Sequence, residues 1–156
     1  MPVLNRFYVH RVTSAPLTDP IGLMVEGPQL DVEVHIPKPL EELFIKQGKS
    51  IPKPAVGRAL IDTGASICAV DDSVITSLGV QPVGVADVRT PTGSAQQNQY
   101  PVTFIFPGTN LPTLNIQAAI GSALSSQGFI ALIGRDALGS VVFTYNGTGG
   151  FFTFAL

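Results

Sequence analysis

The sequence predicts an all-β fold made of short strands, and three observations support this prediction. A hydrophobic fraction of 45% beside a charged fraction of 13% is typical of a chain with a sizeable core and excludes a disordered one. The 16 glycines and 13 prolines among 156 residues suit many strands joined by turns. Residues 30–36 alternate apolar and polar side chains, which is the pattern of a half-buried strand.

Length and charge limit the class of protein. At 156 residues the chain is most simply one domain, with residues 1–27 as an N-terminal arm and residues 28–156 as the core. A formal net charge of −2 offers no basic surface to nucleic acid. No apolar run approaches the roughly 18–20 residues that cross a bilayer, and the first residues lack the apolar core of a secretory signal. We therefore expect a cytoplasmic protein without a nucleic-acid or membrane partner.

The sequence indicates no cofactor and no metal site. Neither histidine has a second His, Cys or acid at ligand spacing. The single cysteine, Cys68, excludes an intrachain disulfide. Its neighbours Ile67 and Ala69 include no base or cation that would lower the thiol pKa, so we interpret Cys68 as a core residue instead of a nucleophile.

Local patterns predict the elements of the first half of the chain. Residues 39–47 fit a short helix inside an insertion at about 37–54, which would interrupt a hairpin and could lie near a substrate cleft. Asp71, Asp72 and Ser73 supply cap and first-turn residues for a helix that ends at Gly79. The predicted strands cover residues 6–12, 21–26, 30–36, 55–61 and 67–70.

The second half of the chain is predicted to be mostly hairpins. Residues 88–106 fit a long hairpin whose turn chemistry lies within residues 89–94. A short helix is expected to begin near Arg135 and to end at Gly139. Asn146 and Gly147 form the strongest short hairpin signal in the chain. Further strands are predicted for residues 114–118, 129–134, 141–145 and 151–156.

Residues 59–66 are an apolar strand that ends in an acid on a tight turn. Because a carboxylate is costly to bury, an acid at this position needs a chemical reason. The five residues from Asp62 to Ser66, Asp-Thr-Gly-Ala-Ser, resemble the active-site loop of aspartic proteases, and the Ala after the Gly is typical of the retropepsin-like branch. Asp-Thr-Gly alone occurs by chance in roughly 3% of chains of this length, so its context carries much of the weight.

A second segment strengthens this resemblance, which covers about residues 28–156. Residues 132–136, Leu-Ile-Gly-Arg-Asp, resemble the segment that passes beside the active-site loop in retropepsin-like proteases and enters their helix. Its position in the chain leaves room for a flap hairpin between the two segments. The residues that the resemblance places next to the active site in a structural role are Gly134, Arg135 and Asp136. Those that it places in a substrate-binding flap are Thr92, Gly93 and Ser94.

The resemblance implies a retropepsin-like acid protease barrel with a flap hairpin and one or two short helices, forming half of a two-fold symmetric dimer. In this class two close aspartates share one proton, so that one activates water and the other polarises the peptide carbonyl. The chain has a single Asp-Thr-Gly, which implies that Asp62 of each subunit forms the pair. The supporting residues would be Thr63, which hydrogen-bonds across the dimer, Gly64, which lets substrate approach, Ala65 and Ser66.

The resemblance leaves the partner of Arg135 open. Viral members often carry an acid where Ser66 stands, and that acid pairs with the arginine of the Gly-Arg segment. Ser66 cannot supply this charge, so the partner is expected across the dimer or among Asp71, Asp72 and Asp136. Residues 151–156 would suit the intersubunit sheet of the family.

Three hypotheses follow, and a homodimeric aspartic endopeptidase that cleaves peptides or proteins is the leading one. A non-catalytic module with the same fold, used for dimerisation or peptide binding, is the alternative. The intact Asp-Thr-Gly argues against this module, because loss of turnover would permit change at the acid. An unrelated β protein with a chance Asp-Thr-Gly is the third.

Overall fold

The computed structural model describes residues 1–8, 18–90 and 93–156, and these residues form β-sheet with a few short helices, which confirms the predicted all-β fold. The strands are β1 (Val3–Phe7), β2 (Gln29–His35), β3 (Ala55–Ile61), β4 (Ala69–Asp71), β5 (Gly84–Thr90), β6 (Gly93–Ile105), β7 (Leu114–Ser122), β8 (Ala131–Ile133), β9 (Val142–Asn146) and β10 (Phe151–Ala155). The helices are α1 (Pro20–Glu26), α2 (Lys38–Lys46), α3 (Asp72–Leu78) and α4 (Arg135–Leu138), and a 3-10 turn covers Ser125–Gln127.

The larger sheet has seven strands in the order β2-β3-β8-β4-β7-β6-β5. Strand β2 also pairs with β6, with Glu33 opposite Ile105, so the sheet closes on itself and β5 extends from β6. Strand β8 lies between β3 and β4, parallel to β3 and antiparallel to β4. Because the Asp62 loop connects β3 to β4, β8 brings the chain that follows it directly beside this loop.

The smaller sheet contains β1, β10 and β9, all antiparallel, with β10 in the middle. Phe152 and Phe154 of β10 are fully buried. Strand β10 is hydrogen-bonded to a neighbouring strand on both sides within the chain, since Ala155 pairs with Val3 of β1 and with Val142 of β9. Residues 151–156 are thus the central strand of a sheet within one chain, and among the described residues β1 and β9 are the edges of this sheet. That these residues belong to an intersubunit sheet stays a prediction.

The core fills the closed sheet and the space between the two sheets. Both sheets and three of the helices contribute to it, through buried residues that include Leu23, Val32, Val34, Ile61, Leu78, Phe104, Ala137, Phe152 and Phe154. The predicted helix at 39–47 is α2, in the connection of the β2–β3 hairpin. Leu40 and Phe44 of α2 pack against the core, whereas Leu43 is 45% exposed.

Residues 21–26 form helix α1 instead of the predicted strand. The Asp19 carboxylate caps the helix by accepting the Gly22 N–H at 2.9 Å, and Pro20 supplies the fixed φ that suits a first helical residue. Leu23 is the residue that α1 buries. A short apolar run has no periodicity that separates strand from helix, so the cap was the informative signal.

The other predicted elements are present with small shifts in their ends. Strand β1 begins at Val3, three residues before the strand predicted at residues 6–12. Residues 9–12 of that prediction lie outside the described part of the chain. The predicted hairpin at 88–106 is β5 and β6, which begins at Gly84. None of the helices in the described ranges combines the length and hydropathy of a membrane span.

Candidate active site

Asp62 follows directly after β3 and starts a tight turn. Its backbone N–H donates to the Ile133 carbonyl at 3.0 Å, which continues the parallel pairing of β3 and β8. Its carbonyl accepts the Ala65 N–H at 3.2 Å. One carboxylate oxygen, Oδ1, accepts the Gly64 N–H at 2.8 Å. The loop's own backbone therefore orients the carboxylate.

The residues that follow Asp62 are mostly at the surface. Thr63, Gly64 and Ser66 are exposed, and Ala65 is half-buried. A Cβ built on Gly64 would lie 3.1 Å from Asp62 Oδ1. That contact is tighter than ordinary packing, so a larger residue at position 64 would crowd the carboxylate.

The structure brings residues 134–136 against the Asp62 loop. The backbone N–H of Arg135 donates to Ala65 O at 3.0 Å, and that of Asp136 donates to Ser66 O at 3.2 Å. Gly134 makes this approach possible, because a Cβ there would lie 2.6 Å from the carbonyl carbon of Ile67. The two segments singled out by the sequence are thus in direct backbone contact.

Arg135 binds backbone carbonyls of the Asp62 loop. Its Nη1 donates to Thr63 O at 2.7 Å and to Gly64 O at 3.1 Å. Within the described residues no ion pair joins Arg135 to Asp71, Asp72 or Asp136. Of the two alternatives, pairing with an acid of the same chain is therefore wrong, and within the chain the guanidinium binds the carbonyls of Thr63 and Gly64. A partner across the dimer stays a prediction.

Asp136 holds the start of β4 through Cys68. Both carboxylate oxygens lie 3.0 Å from the Cys68 backbone N–H, and the thiol donates to Oδ1 at 3.0 Å. Burial of Cys68 and this hydrogen bond to a carboxylate raise the thiol pKa far above its usual range. A thiol that stays protonated is not a nucleophile, and Cys68 is fully buried, so its interpretation as a core residue is confirmed.

Asp71 caps α3 as predicted, and it also binds a distant loop. Oδ1 accepts the Ser73 N–H at 3.0 Å and the Ser73 hydroxyl. Oδ2 accepts the N–H groups of Leu124 and Ser125 at 2.8 and 2.6 Å. The Ser73 hydroxyl, together with these backbone N–H groups, outweighs desolvation and lowers the pKa of Asp71 to about 2. No residue type in the sequence marks the second contact, because its donors are backbone groups.

A groove of about 460 Å³ opens beside Asp62. Asp62 itself lines the groove. Most of the other lining residues are small or apolar and come from the Asp62 loop and from strands β4, β7 and β8: Gly64, Ala65, Ser66, Ile67, Ala69, Ile120, Ser122 and Leu132. Strand β5 contributes Asp87, Val88 and Arg89. Over the described residues, no three His, Cys, Asp or Glu side chains group closely enough to hold a metal ion.

Among the described residues, the hairpin expected to form a flap reaches the groove through β5. Gly93 pairs with Thr90 and Ser94 pairs with Arg89; both Gly93 and Ser94 are exposed, and neither lines the groove. Thr92 lies outside the described residues. Residues 87–89 were not among the residues predicted from the sequence. The signal that could have found them is the pattern of two charged residues on either side of Val88, which a strand places on one face.

The insertion at 37–54 does not contribute to this groove. None of its described residues lines the groove, so the expectation that α2 lies near the substrate cleft is wrong. Two residues of α2, Lys38 and Glu41, instead line a separate cavity with His35 and Thr103.

The whole architecture is similar to that of a solved aspartic protease. The crystal structure of a retropepsin-like aspartic protease from Rickettsia conorii matches with a TM-score of 0.50, covering 97% of this chain and 90% of that chain. The chain has a retropepsin-like all-β fold. The sequence identity is 11%, so the likeness extends to the fold alone. No protein-family model matches this sequence, and no curated protein does.

Proposed function

We propose that this protein is an aspartic endopeptidase that acts as a homodimer. The observation that carries this proposal is the position of Asp62 on a tight turn at the edge of a groove, with one carboxylate oxygen held by the Gly64 N–H at 2.8 Å. The fold supports it, because the similar structure from Rickettsia conorii is described as an aspartic protease. The substrate would be an extended peptide lying in the groove, next to the carboxylate.

The proposed mechanism needs two carboxylates that share one proton. Two negative charges at short distance are strongly unfavourable, so one of the pair stays protonated. The ionised Asp62 accepts a proton from water, which attacks the peptide carbonyl, while the protonated Asp62 donates to the carbonyl oxygen. The tetrahedral intermediate then collapses, and a proton passes to the leaving amine. No covalent bond to the enzyme forms.

A second copy of the chain is the proposed source of the second carboxylate. Asp71 is bound by three backbone N–H groups, and Asp136 is bound to Cys68. Both of these acids therefore have structural partners. Two-fold symmetry would place a second Asp62 in the same environment as the first, and a short distance between the two carboxylates would let them share one proton.

The loop contacts suit such a site because they fix the carboxylate before substrate binds. Arg135 ties the carbonyls of Thr63 and Gly64, and the N–H of Asp62 is bound to Ile133. A preorganised carboxylate avoids the cost of reorientation during the reaction. We assign Arg135 to positioning, since it contacts the loop backbone.

Replacing Asp62 tests the proposal. In Asp62→Asn the side chain can neither accept a proton from water nor share one, and we expect the rate of peptide cleavage to fall by at least about a hundredfold. Asp72→Asn is the matched control, because Asp72 is an exposed acid in the first turn of α3 and does not line the groove. Cleavage of a peptide library is followed by mass spectrometry, with circular dichroism to check the fold.

The same experiment separates the alternative function. Wild-type cleavage by Asp62→Asn would contradict the proposal. Peptide binding measured by calorimetry, without cleavage by either protein, would instead favour the non-catalytic module.

A further inference from the structure

Asp87 and Arg89 place two unneutralised charges in the wall of the groove. Both are exposed and line the groove together with Val88, and the alternation of side chains along a strand places Asp87 and Arg89 on the same face of β5. In the described parts of the chain, neither side chain has a hydrogen-bond or ion-pair partner. Asp71 and Asp136 differ in this respect, since backbone groups bind both of them. The charges of Asp87 and Arg89 are therefore available to a ligand.

The spacing of these charges matches the repeat of an extended peptide. Residues i and i+2 of a strand lie on one face, roughly 7 Å apart. An extended substrate has the same repeat, so two of its side chains can face Asp87 and Arg89 together. The other lining of the groove is apolar at Ile67, Ile120 and Leu132, which suits an aliphatic side chain.

We propose that Asp87 and Arg89 select peptides with a basic and an acidic side chain two residues apart, next to an aliphatic residue. The basic side chain faces Asp87 and the acidic side chain faces Arg89. This inference rests on the proposed function, because it requires an extended peptide in the groove.

The order of the two charges is what such a wall recognises. Because Asp87 and Arg89 carry opposite charges, this wall has no net charge. The total charge of a peptide therefore does not determine how strongly it is attracted to the wall. A peptide of the same composition with the two charges exchanged would place a base against Arg89 and an acid against Asp87. Like charges at these positions disfavour binding, and opposite charges favour it.

Two peptides of identical composition test the inference. Each has a fixed aliphatic cleavage site, flanked by Lys-Ala-Glu in one and Glu-Ala-Lys in the other. We expect the two kcat/KM values to differ about tenfold, since each exposed pair contributes up to about a fivefold effect. In roughly 1 M salt the difference should shrink towards unity, because screening acts over a few ångströms there.

Exchanging the charges of the protein should exchange the preference. The double variant Asp87→Lys/Arg89→Glu keeps the net charge and is expected to prefer the other peptide. The single variants Asp87→Asn and Arg89→Gln should each lose part of the discrimination, and they guard against a folding defect in the double variant. The matched control is Arg6→Asp/Asp31→Arg, which exchanges an exposed pair that is 3.4 Å apart and outside the groove. It should keep the wild-type preference.

The outcomes separate this inference from the proposed function. Cleavage of both peptides at equal rates, or an unchanged preference in the double variant, overturns the charge selection and leaves the peptidase assignment standing. Calorimetry with Asp62→Asn measures the affinities for the two peptides and so tests the same preference in the absence of turnover. An order preference in binding, with no cleavage by the wild type, supports the selection and overturns the peptidase assignment. Absence of both binding and cleavage overturns both.

Discussion

Asp62, Asp71 and Asp136 have the same side chain, and their neighbours give them different tasks. Asp71 is only 2% exposed and is surrounded by N–H and hydroxyl donors. Asp136 faces the N–H and thiol of Cys68. Asp62 accepts the Gly64 N–H and stands at the groove. The donors around a carboxylate thus determine whether it stabilises the fold or remains available for chemistry.

Asp71 makes the stability of the protein sensitive to acid. Its pKa is lowered to about 2 in the folded protein, against a usual value of 3.8. A depressed pKa stabilises the folded state above the unfolded pKa, and this stabilisation is lost as the pH falls through the folded pKa. We expect Asp71 to contribute about 2 kcal/mol to the free energy of unfolding near neutral pH, lost between about pH 4 and pH 2.

Urea unfolding of the wild type and Asp71→Asn at several pH values between 6 and 2 measures this contribution. The variant should be less stable near pH 6, where its amide nitrogen cannot accept from the loop N–H groups, and the two proteins should converge near pH 2. Asp72→Asn, an exposed change in the same helix, controls for the general effect of acid. Parallel stability curves for the wild type and Asp71→Asn would contradict the prediction.

At the scale of the elements, the critical feature is the crossing of the Asp62 loop and the segment after β8. Gly134 lies at the crossing with an extended backbone, φ −86°, which any residue can adopt. A glycine is therefore needed there because no space is left for a side chain. A Cβ there would meet the Ile67 carbonyl carbon at 2.6 Å and the Cys68 nitrogen at 2.9 Å. Both atoms belong to the backbone, which cannot move aside without breaking the contacts that hold the loop.

We expect Gly134→Ala to lower the free energy of unfolding by about 2 kcal/mol or more, the cost of overpacking, and to reduce any activity that depends on Asp62. Gly139→Ala is the matched control at the other end of α4. Gly139 has a helical φ of −60°, and a Cβ there would meet Arg135 O at an ordinary 3.5 Å. That control should be neutral or stabilising by about 0.5 kcal/mol. Equal unfolding midpoints in urea for the two variants would argue against a special role for position 134.

The sequence was informative where a local pattern determines the structure. Alternation predicted β2, an Asn-Gly turn predicted the β9–β10 hairpin, and cap residues predicted α3. It failed for α1, whose apolar residues fit either element, and for the partner of Arg135. Arg135 binds carbonyls that every residue carries, so no residue type marks them. The same limit hides the contact of Asp71 with residues 124 and 125.

At the scale of the whole molecule, one chain supplies one Asp62 and half of the proposed site. The sequence predicted the fold class, but not the strand order of the small sheet. The need for a second copy stays a prediction. The pairing of β10 with both β1 and β9 depends on contacts between the two ends of the chain, which no local pattern reports. The edges of β1 and β9 are where a second copy could extend this sheet.

Mixing the wild type with Asp62→Asn tests whether two chains share one site. After subunit exchange with a ninefold excess of the variant, most wild-type chains sit in mixed dimers, so activity per wild-type chain should fall to about a tenth. Substrate is kept well above the protein concentration, so that binding by the variant does not deplete it. A site contained in one chain, including one that combined Asp62 with Asp87, would show no loss.

The position of β8 between β3 and β4 also has a consequence for the order in which the molecule is made. The N–H of Asp62 needs the carbonyl of Ile133, and Ala65 and Ser66 need the N–H groups of Arg135 and Asp136. Contacts between residues so far apart in the chain require closure of a long loop, and they cannot form before both partners have been synthesised. During synthesis on the ribosome, the loop therefore stays unpaired until residues 131–136 have emerged. The nascent chain thus carries Asp62 well before its loop can be anchored to the rest of the fold.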